Sequence, residues 1–474
     1  MQESESQAAA SGEKPRGGRD VLILGAGFSR AVSDRLPLVD ELGNSCLDMD
    51  GLRSDRRVPA GGFSGGSFET WLSRLADEQP YLSVQENLEN QALFERFSAA
   101  IAEALGRSVH DALTDGCPAW LSEFVRVAHQ ARATLITFNY DPLIECTVGT
   151  GLLYDWGLRE PVFWAELTGD VPSWPPGPAI LAAEPADTFR LLKLHGSLNW
   201  YWTPGDASGV SIARRNLPGV FGAPERYTED QRRRVLPGRV PFVVPPSAVK
   251  SPYYRNPLIR EIWQQAADSL RTADRVFVLG YSLPPADLTF AGMLTDTLRD
   301  SPATLTIVDP SAPAVTERLA SLGFPDNRVQ AFDPGAEPPV AAFTARWRDE
   351  ASAAVLDQLR GSEPDTMDGP LLVVWGQQAF APVVSASETG GVVTLTADTV
   401  SPSHQAATRP RDDYSLPLVL PVLREILQRA GPGSRLEVLA TDGRRQAIIG
   451  WTTSHTQLGY GRGVWNALTP SGTP

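Results

Sequence analysis

Between residues 20 and 335, short apolar runs that end in small or polar residues alternate with stretches of helical periodicity. The first run, Val21–Leu24, turns through Gly25, Ala26 and Gly27 into a helix. Others open the segment Ala133–Glu145, precede His195, and lie at Phe242–Val244, Val276–Leu279, Leu305–Val308 and Val329–Phe332. Unbroken runs of this length, rich in Val, Ile and Leu, suit strands buried on both faces. The intervening helical patterns are Ser67–Leu82, Glu86–Leu105, Trp120–Ala131 and Asn256–Arg271. This alternation predicts an α/β fold with a Rossmann-like parallel sheet and helical or irregular insertions. In such a sheet, ligand-binding groups collect at the carboxyl ends of the strands.

Turn-rich segments divide the chain. Residues 1–18 read as a disordered lead-in, Arg56–Ser67 as a mobile loop, and Tyr154–Asp187 as an irregular Pro/Trp-rich stretch. The insertion Ala213–Arg239 carries Arg214, Arg215, Arg226, Arg232, Arg233, Arg234 and Arg239. A solvated loop face is the plain reading of that charge, a phosphate-rich partner the other. A main domain over 19–355, a linker over 356–369 and a smaller α+β C-terminal domain over 370–474 are expected. The last would contain strands at Leu371–Gly376 and Val392–Asp398, a helix at Leu416–Gly431, and a hairpin turning at Asp442-Gly443.

The length of 474 residues favours two domains. A net charge of −14 speaks against a general nucleic-acid surface and points to small molecules or proteins as partners. Residues 370–474 hold seven acids against eight basic groups, so the negative charge lies upstream. Cys46, Cys117 and Cys146 are odd in number and form no CxxC pair. They predict neither a disulfide framework nor a four-thiolate zinc site, which fits a reducing cytoplasm. The polar N-terminus lacks an apolar signal core, and no segment offers the roughly 20 apolar residues of a membrane span. Only three lysines accompany 39 arginines, read at this level as a trace of genome composition.

Candidate chemistry sits at the strand ends. Gly25, Ala26 and Gly27 would let a dinucleotide pyrophosphate approach the backbone at a helix N-terminus; the plainer reading is a tight connection. Phe28, Ser29 and Arg30 complete the set on this turn, Ser29 by hydrogen bonding and Arg30 by charge. Asn139 and Asp141 stand at a strand-to-helix turn, where a polar side chain can also be a simple N-cap. His195 is a candidate general base, because imidazole titrates near neutral pH. His110, His129, His404 and His455 are read as structural. Ser197, Asn199, Trp200, Tyr201 and Trp202 form either a pocket wall or core. Gly280 would allow close approach, Ser282 offers a donor, and Asp309 could accept from ribose hydroxyls or merely shape a turn.

Four segments occur in a telling order: GAGFS at Gly25–Ser29, TFNYD at Thr137–Asp141, LHGS at Leu194–Ser197 and VFVLGYSLPPAD at Val276–Asp287. Together they resemble the SIR2-like, sirtuin-type NAD-binding family, in its bacterial NAD-consuming antiphage-defence branch, over about residues 19–335. The resemblance implies that Asn139 orients the nicotinamide ribose or the attacking water. It implies that Asp141 binds the nicotinamide carboxamide, that His195 assists proton movement, and that GYSLPPAD touches ribose and phosphate. NAD+ is then the substrate, and the expected reaction is glycohydrolysis to nicotinamide and ADP-ribose. The same branch implies a homo-oligomer that answers a protein partner or a phage-derived trigger. Two features depart from the deacylating members. The four-cysteine zinc module has no counterpart, so no zinc is expected, and Ser33–Leu42 reads SDRLPLVDEL where a GIPDFR-like segment would stand. An NAD-dependent protein deacylase and a non-catalytic NAD or ADP-ribose sensor are the alternatives. A Rossmann oxidoreductase ranks below them, because LDMDG at Leu47–Gly51 follows no apolar run.

Overall fold

The computed structural model describes residues 19–49, 51–131, 133–148, 189–206, 208, 212–214, 219–224 and 238–361, together with six strands further on. The lead-in 1–18, the irregular stretch Tyr154–Asp187, the helix Leu416–Gly431, the turn at Asp442-Gly443, His404 and His455 fall outside them.

Among the described residues, eleven strands precede residue 335: β1 (Asp20–Leu24), β2 (Thr134–Thr137), β3 (Arg190–Lys193), β4 (Gly196–Trp202), β5 (Ala213–Arg214), β6 (Gly219–Val220), β7 (Ala223–Pro224), β8 (Val240–Val243), β9 (Arg275–Leu279), β10 (Thr304–Val308) and β11 (Val329–Ala331). Six of them form one sheet in the order β11-β10-β9-β1-β2-β3, and every pair is parallel. Counting only these six in chain order, the sheet reads 3-2-1-4-5-6, the doubly wound Rossmann order. The order reverses between β1 and β9. The register there pairs Leu24 with Leu279, so the residues that follow both strands emerge side by side.

The parallel arrangement follows from burial on both faces. All five residues of β1 are buried. Its side chains alternate: Leu22 and Leu24 join a core with Phe28, Phe124, Phe277 and Trp347, while Val21 and Ile23 join another with Ile136, Val278, Phe290 and Ile307. At the amino end of β1, the buried carboxylate of Asp20 accepts two bonds from the Arg275 guanidinium, at 2.8 and 2.7 Å. It also accepts the Trp347 indole N–H at 2.8 Å. First strand, central neighbour and the helix Pro339–Gly361 are thereby tied together.

A helical module follows β1. Helices Val39–Cys46, Ser67–Ala76 and Val84–Asp115 enclose a third core that includes Leu42, Phe63, Phe68, Phe97 and Ile101. Ser83 caps the last of these by a reciprocal pair of bonds with Glu86, at 3.3 and 2.8 Å. This helix runs ten residues past the expected end at Leu105, because its buried face continues through Val109, Ala112 and Leu113. The Gly/Ser-rich stretch Arg56–Ser67 is irregular but anchored. Val58 and Phe63 are buried, and Asn44 exchanges bonds of 2.8 and 2.9 Å with the Phe63 backbone.

The apolar run at Phe242–Val244 corresponds to β8, but β8 does not join the main sheet. It pairs antiparallel with β4, Gly196 opposite Val243, and β4 in turn pairs with β5 inside the arginine-rich insertion. An apolar run records burial, not the choice of partner strand. In the C-terminal stretch, β12 (Leu371–Val374), β13 (Ala379–Thr389), β14 (Val392–Ala397), β15 (Arg435–Ala440), β16 (Arg445–Trp451) and β17 (Thr456–Leu458) form a separate six-stranded sheet in chain order. It is antiparallel except between β14 and β15. Among the described residues no helix is long and apolar enough to cross a membrane.

Candidate functional site

The turns after β1 and β9 interlock at the point where the strand order reverses. Gly280 has φ +59°, and a Cβ there would stand 2.1 Å from the Phe28 nitrogen. A Cβ on Gly25 would stand 2.6 Å from the Gly280 oxygen, and one on Gly27 would stand 2.8 Å from the Gly280 Cα. Gly25 N–H donates to the Leu279 carbonyl at 3.1 Å, Gly27 N–H to the Gly280 carbonyl at 2.8 Å, and Phe28 N–H to the Gly25 carbonyl at 2.9 Å. The glycines thus serve the close passage of two backbones, and three amides of the turn bond within the protein. Ala26 begins the helix Ala26–Val32, and Phe28 is buried against Trp120 and Phe124. The Arg30 guanidinium turns to Glu41, at 2.8 Å, and to the Leu36 carbonyl, at 3.1 Å.

Beside this turn, β2 delivers Asn139 and Asp141. The Asn139 amide donates to the Gly25 carbonyl at 2.7 Å and to Ser29 Oγ at 2.8 Å, and Ser29 Oγ donates to Asp141 Oδ2 at 2.6 Å. Asn139, Ser29 and Asp141 therefore form one chain of bonds across the ends of β1 and β2. Asp141 Oδ1 also accepts from Leu143 N–H at 3.3 Å, a bond that shapes the turn, while Pro142 is the N-cap of the helix Leu143–Thr147. Below the chain, Lys193 from the end of β3 donates to the Asp141 carbonyl at 2.6 Å and pairs with Glu145 at 3.2 Å. Both side chains are buried, and Glu145 Oε2 has no hydrogen-bond partner among the described residues. A cavity lies between these groups, with Phe28, Ser29, Asn139, Asp141, Glu145 and Lys193 in its wall.

His195 follows Lys193 by two residues, at the turn between β3 and β4. Its imidazole is 4.9 Å from the Phe138 ring and 6.4 Å from the Tyr140 ring, centroid to centroid, so Asn139 lies between the two residues that flank it. Nε2 faces the Tyr254 hydroxyl at 3.2 Å and Asp287 Oδ1 at 4.0 Å. Asp287 is held in turn by Lys250 and by the Tyr281 hydroxyl, the latter at 2.8 Å. Burial, with the Lys250 charge acting in the same direction, holds the imidazole well below its ordinary pKa. At neutral pH the ring is therefore uncharged. Burial also draws Lys250 down, to about 8, against the opposing pull of Glu69.

The remaining candidates spread along the same edge. Ser282 is exposed, and its carbonyl accepts from Arg318. Asp309 follows β10, and its carboxylate accepts from Ser311 N–H at 2.7 Å, the turn-shaping bond of the plainer reading. Ser197 donates to Asn199 at 2.7 Å, both buried, while Trp200 is wholly buried core. Residue patterns did not single out Lys193, Glu145, Lys250, Asp287, Tyr254 or Glu69. One signal was present. The sequence has three lysines against 39 arginines, and two of those lysines, Lys193 and Lys250, are buried at this strand edge. A compact ammonium fits where a planar guanidinium fork does not.

No family model and no curated protein matches the chain. Among solved structures it is similar to a Sir2 enzyme studied for mechanism and regulation, at 13% identity and TM-score 0.32, over 71% of this chain and 93% of that one. It is similar to a Sir2 homolog in complex with NAD, at 13% identity and TM-score 0.33, over 72% and 91%. It is also similar to a Sir2 complex with a p53 peptide and NAD+, at 13% identity and TM-score 0.30, over 71% and 94%. The functional reading rests on the strand order and the side-chain geometry, not on these likenesses. Among the described residues no group of three His, Cys, Asp or Glu side chains could hold a metal ion.

Proposed function

We propose that the chain is an NAD+ glycohydrolase, cleaving NAD+ to nicotinamide and ADP-ribose. One observation supports this reading: along the carboxyl edge of a 3-2-1-4-5-6 sheet, Asn139 and Asp141 follow β2 beside the reversal point at which dinucleotides bind, and the buried His195 follows the next strand, β3. The dinucleotide would cross the β1 and β9 turns. Because three amides of the first turn bond internally, the side chains Ser29, Asn139 and Asp141 supply most of the polar recognition. Asp141, fixed by Ser29 and Lys193, would accept from the carboxamide of the nicotinamide. Asn139 would hold the adjoining ribose or the water.

In the proposed reaction the C1′–N bond breaks, and the departing pyridinium nitrogen takes the electron pair, leaving neutral nicotinamide. Water adds to the oxocarbenium-like C1′, and His195 accepts its proton. The fixed dipoles of Asn139 and the Asp141 charge oppose the positive charge that develops on the sugar. The biological role we attach to this chemistry is antiphage defence by NAD+ depletion in the cytoplasm. The division at 356–369 would leave the C-terminal part, as a separate domain, to oligomerise or receive a trigger.

The test is incubation of the full chain with NAD+ and chromatographic separation of products. Nicotinamide and ADP-ribose should appear in equal amounts, and His195→Ala and Asn139→Ala should each lower turnover by about 10²–10⁴-fold. Near-wild-type turnover in both variants would remove the site. Cleavage only in the presence of an acyl-peptide, with the acyl group recovered on ADP-ribose, would replace hydrolysis by deacylation.

A further inference from the structure

We propose that Lys250 and Asp287 are positioning residues that clamp the protonation state of His195: the ammonium engages the carboxylate so that it cannot draw a proton onto the imidazole. The proposal rests on the reading of His195 as the base. It concerns a charge pair outside the Asn139–Asp141 chain.

The geometry is that of a histidine–carboxylate dyad with the carboxylate diverted. Asp287 Oδ1 is 4.0 Å from His195 Nε2, near enough for an unpaired carboxylate to favour the imidazolium strongly in a buried setting. That same oxygen is in contact with Lys250 Nζ, and Oδ2 accepts from Tyr281. All three charged or chargeable side chains are at most 6% exposed, so water screens none of them. From the helix side Tyr254 meets Nε2 at 3.2 Å, and from β2 Tyr140 stacks on the ring. Both phenols are pushed up by burial and stay neutral. Glu69 is the remaining charged group, acting on Lys250 and raised by its own burial. A dyad whose carboxylate were free would hold His195 protonated and useless as a base at neutral pH. With Lys250 in place the pull of the carboxylate is offset, and burial first, with the ammonium acting in the same direction, decides in favour of the uncharged ring.

The test uses the full chain labelled with carbon-13 at histidine Cε1, without NAD+, so that it stands whether or not NAD+ is cleaved. Five histidines give five signals, and His195→Gln assigns one of them. The wild-type signal should remain that of neutral imidazole well below the pH at which an ordinary histidine titrates. Lys250→Met should raise its midpoint by about one pH unit or more, a tenfold change in proton affinity. Asp287→Asn, which leaves the ammonium unopposed, should move the midpoint the other way. Equal midpoints in wild type and Lys250→Met, or shifts of the same sign in Lys250→Met and Asp287→Asn, would overturn the clamp. If Lys250→Met does not fold, the double variant Lys250→Met/Asp287→Asn buries no unpaired charge. Its midpoint must then lie above that of Asp287→Asn alone, and equality would refute the proposal. If the hydrolase reading is correct, the acid limb of the NAD+ cleavage profile will follow the same shifts.

Discussion

Replacing Lys193 by methionine should be among the costliest single changes to the fold, and the structure says by how much. Lys193 and Glu145 are 1% and 3% exposed and 3.2 Å apart. At an effective dielectric of about 20, unit charges at that separation attract by about 5 kcal/mol, which desolvation of the two ions largely offsets. The intact pair is then worth little net, but half of it is expensive. Without the ammonium, Glu145 becomes a buried carboxylate whose second oxygen already lacks a hydrogen-bond partner among the described residues. Arg214, the nearby cation whose own charge burial disfavours, compensates only in part. Breaking such a pair costs about 3–5 kcal/mol. The Asp141 carbonyl also loses its 2.6 Å bond, for about another 1–2 kcal/mol. In Lys193→Met/Glu145→Gln no charge is stranded, so most of the loss should return, leaving a deficit of about 1–3 kcal/mol. Urea unfolding at 25 °C, followed by tryptophan fluorescence, measures both variants against wild type. A single-variant cost below about 1 kcal/mol, or a double variant less stable than Lys193→Met, would refute the argument.

Three further outcomes are expected. Gly280→Ala should destabilise by more than about 3 kcal/mol, since a left-handed alanine costs about 1–2 kcal/mol before the overlap with the Phe28 and Gly27 backbones is counted. Gly292→Ala, in the middle of helix Leu288–Leu298 with nothing within 4 Å of its new Cβ, should stabilise by about 0.5–1 kcal/mol; similar melting shifts in the two would contradict the packing described. The buried imidazole of His195 has a lowered pKa, so the unfolded chain binds more protons below about pH 6.5 and stability falls with pH from there. The slope due to this residue approaches about 1.4 kcal/mol per unit, and it should vanish from acid titrations of urea midpoints in His195→Gln.

The main sheet could be read from the sequence because its strands are buried on both faces. β1 and β9 show as unbroken apolar runs, and the glycines beside them mark the reversal point. Partner choice was not legible, since the run at β8 is built on Val and Phe as β9 is, yet pairs antiparallel with β4. Asn139, Asp141 and His195 could be named because their motifs are local. The groups that set their electrostatics could not. Lys250 and Asp287 meet His195 only after the chain has folded back, and they lie in segments whose composition suggests a loop. The rarity of lysine did carry that information, but compositional bias alone explained it as well. The role of Gly25 and Gly27 was half visible: need for a missing side chain is evident, whereas the Gly280 backbone that fills the space belongs to a distant segment.

The pairing of Asp20 with Arg275 has a consequence for how the polypeptide is made. β1 leaves the ribosome first among the strands, yet its neighbour β9 is 255 residues behind it. At about 5–20 residues per second, roughly 13–50 seconds of synthesis separate the two. For that interval the most apolar strand of the sheet has one edge unpaired and the Asp20 carboxylate lacks its guanidinium. The nascent chain must therefore wait in a partly assembled state, with β1 and β2 as the earliest available pair. Newly made protein should depend on holding chaperones far more than the finished molecule does, and substitutions that weaken the β1–β9 seam should lower yield in cells before they alter the melting of purified protein.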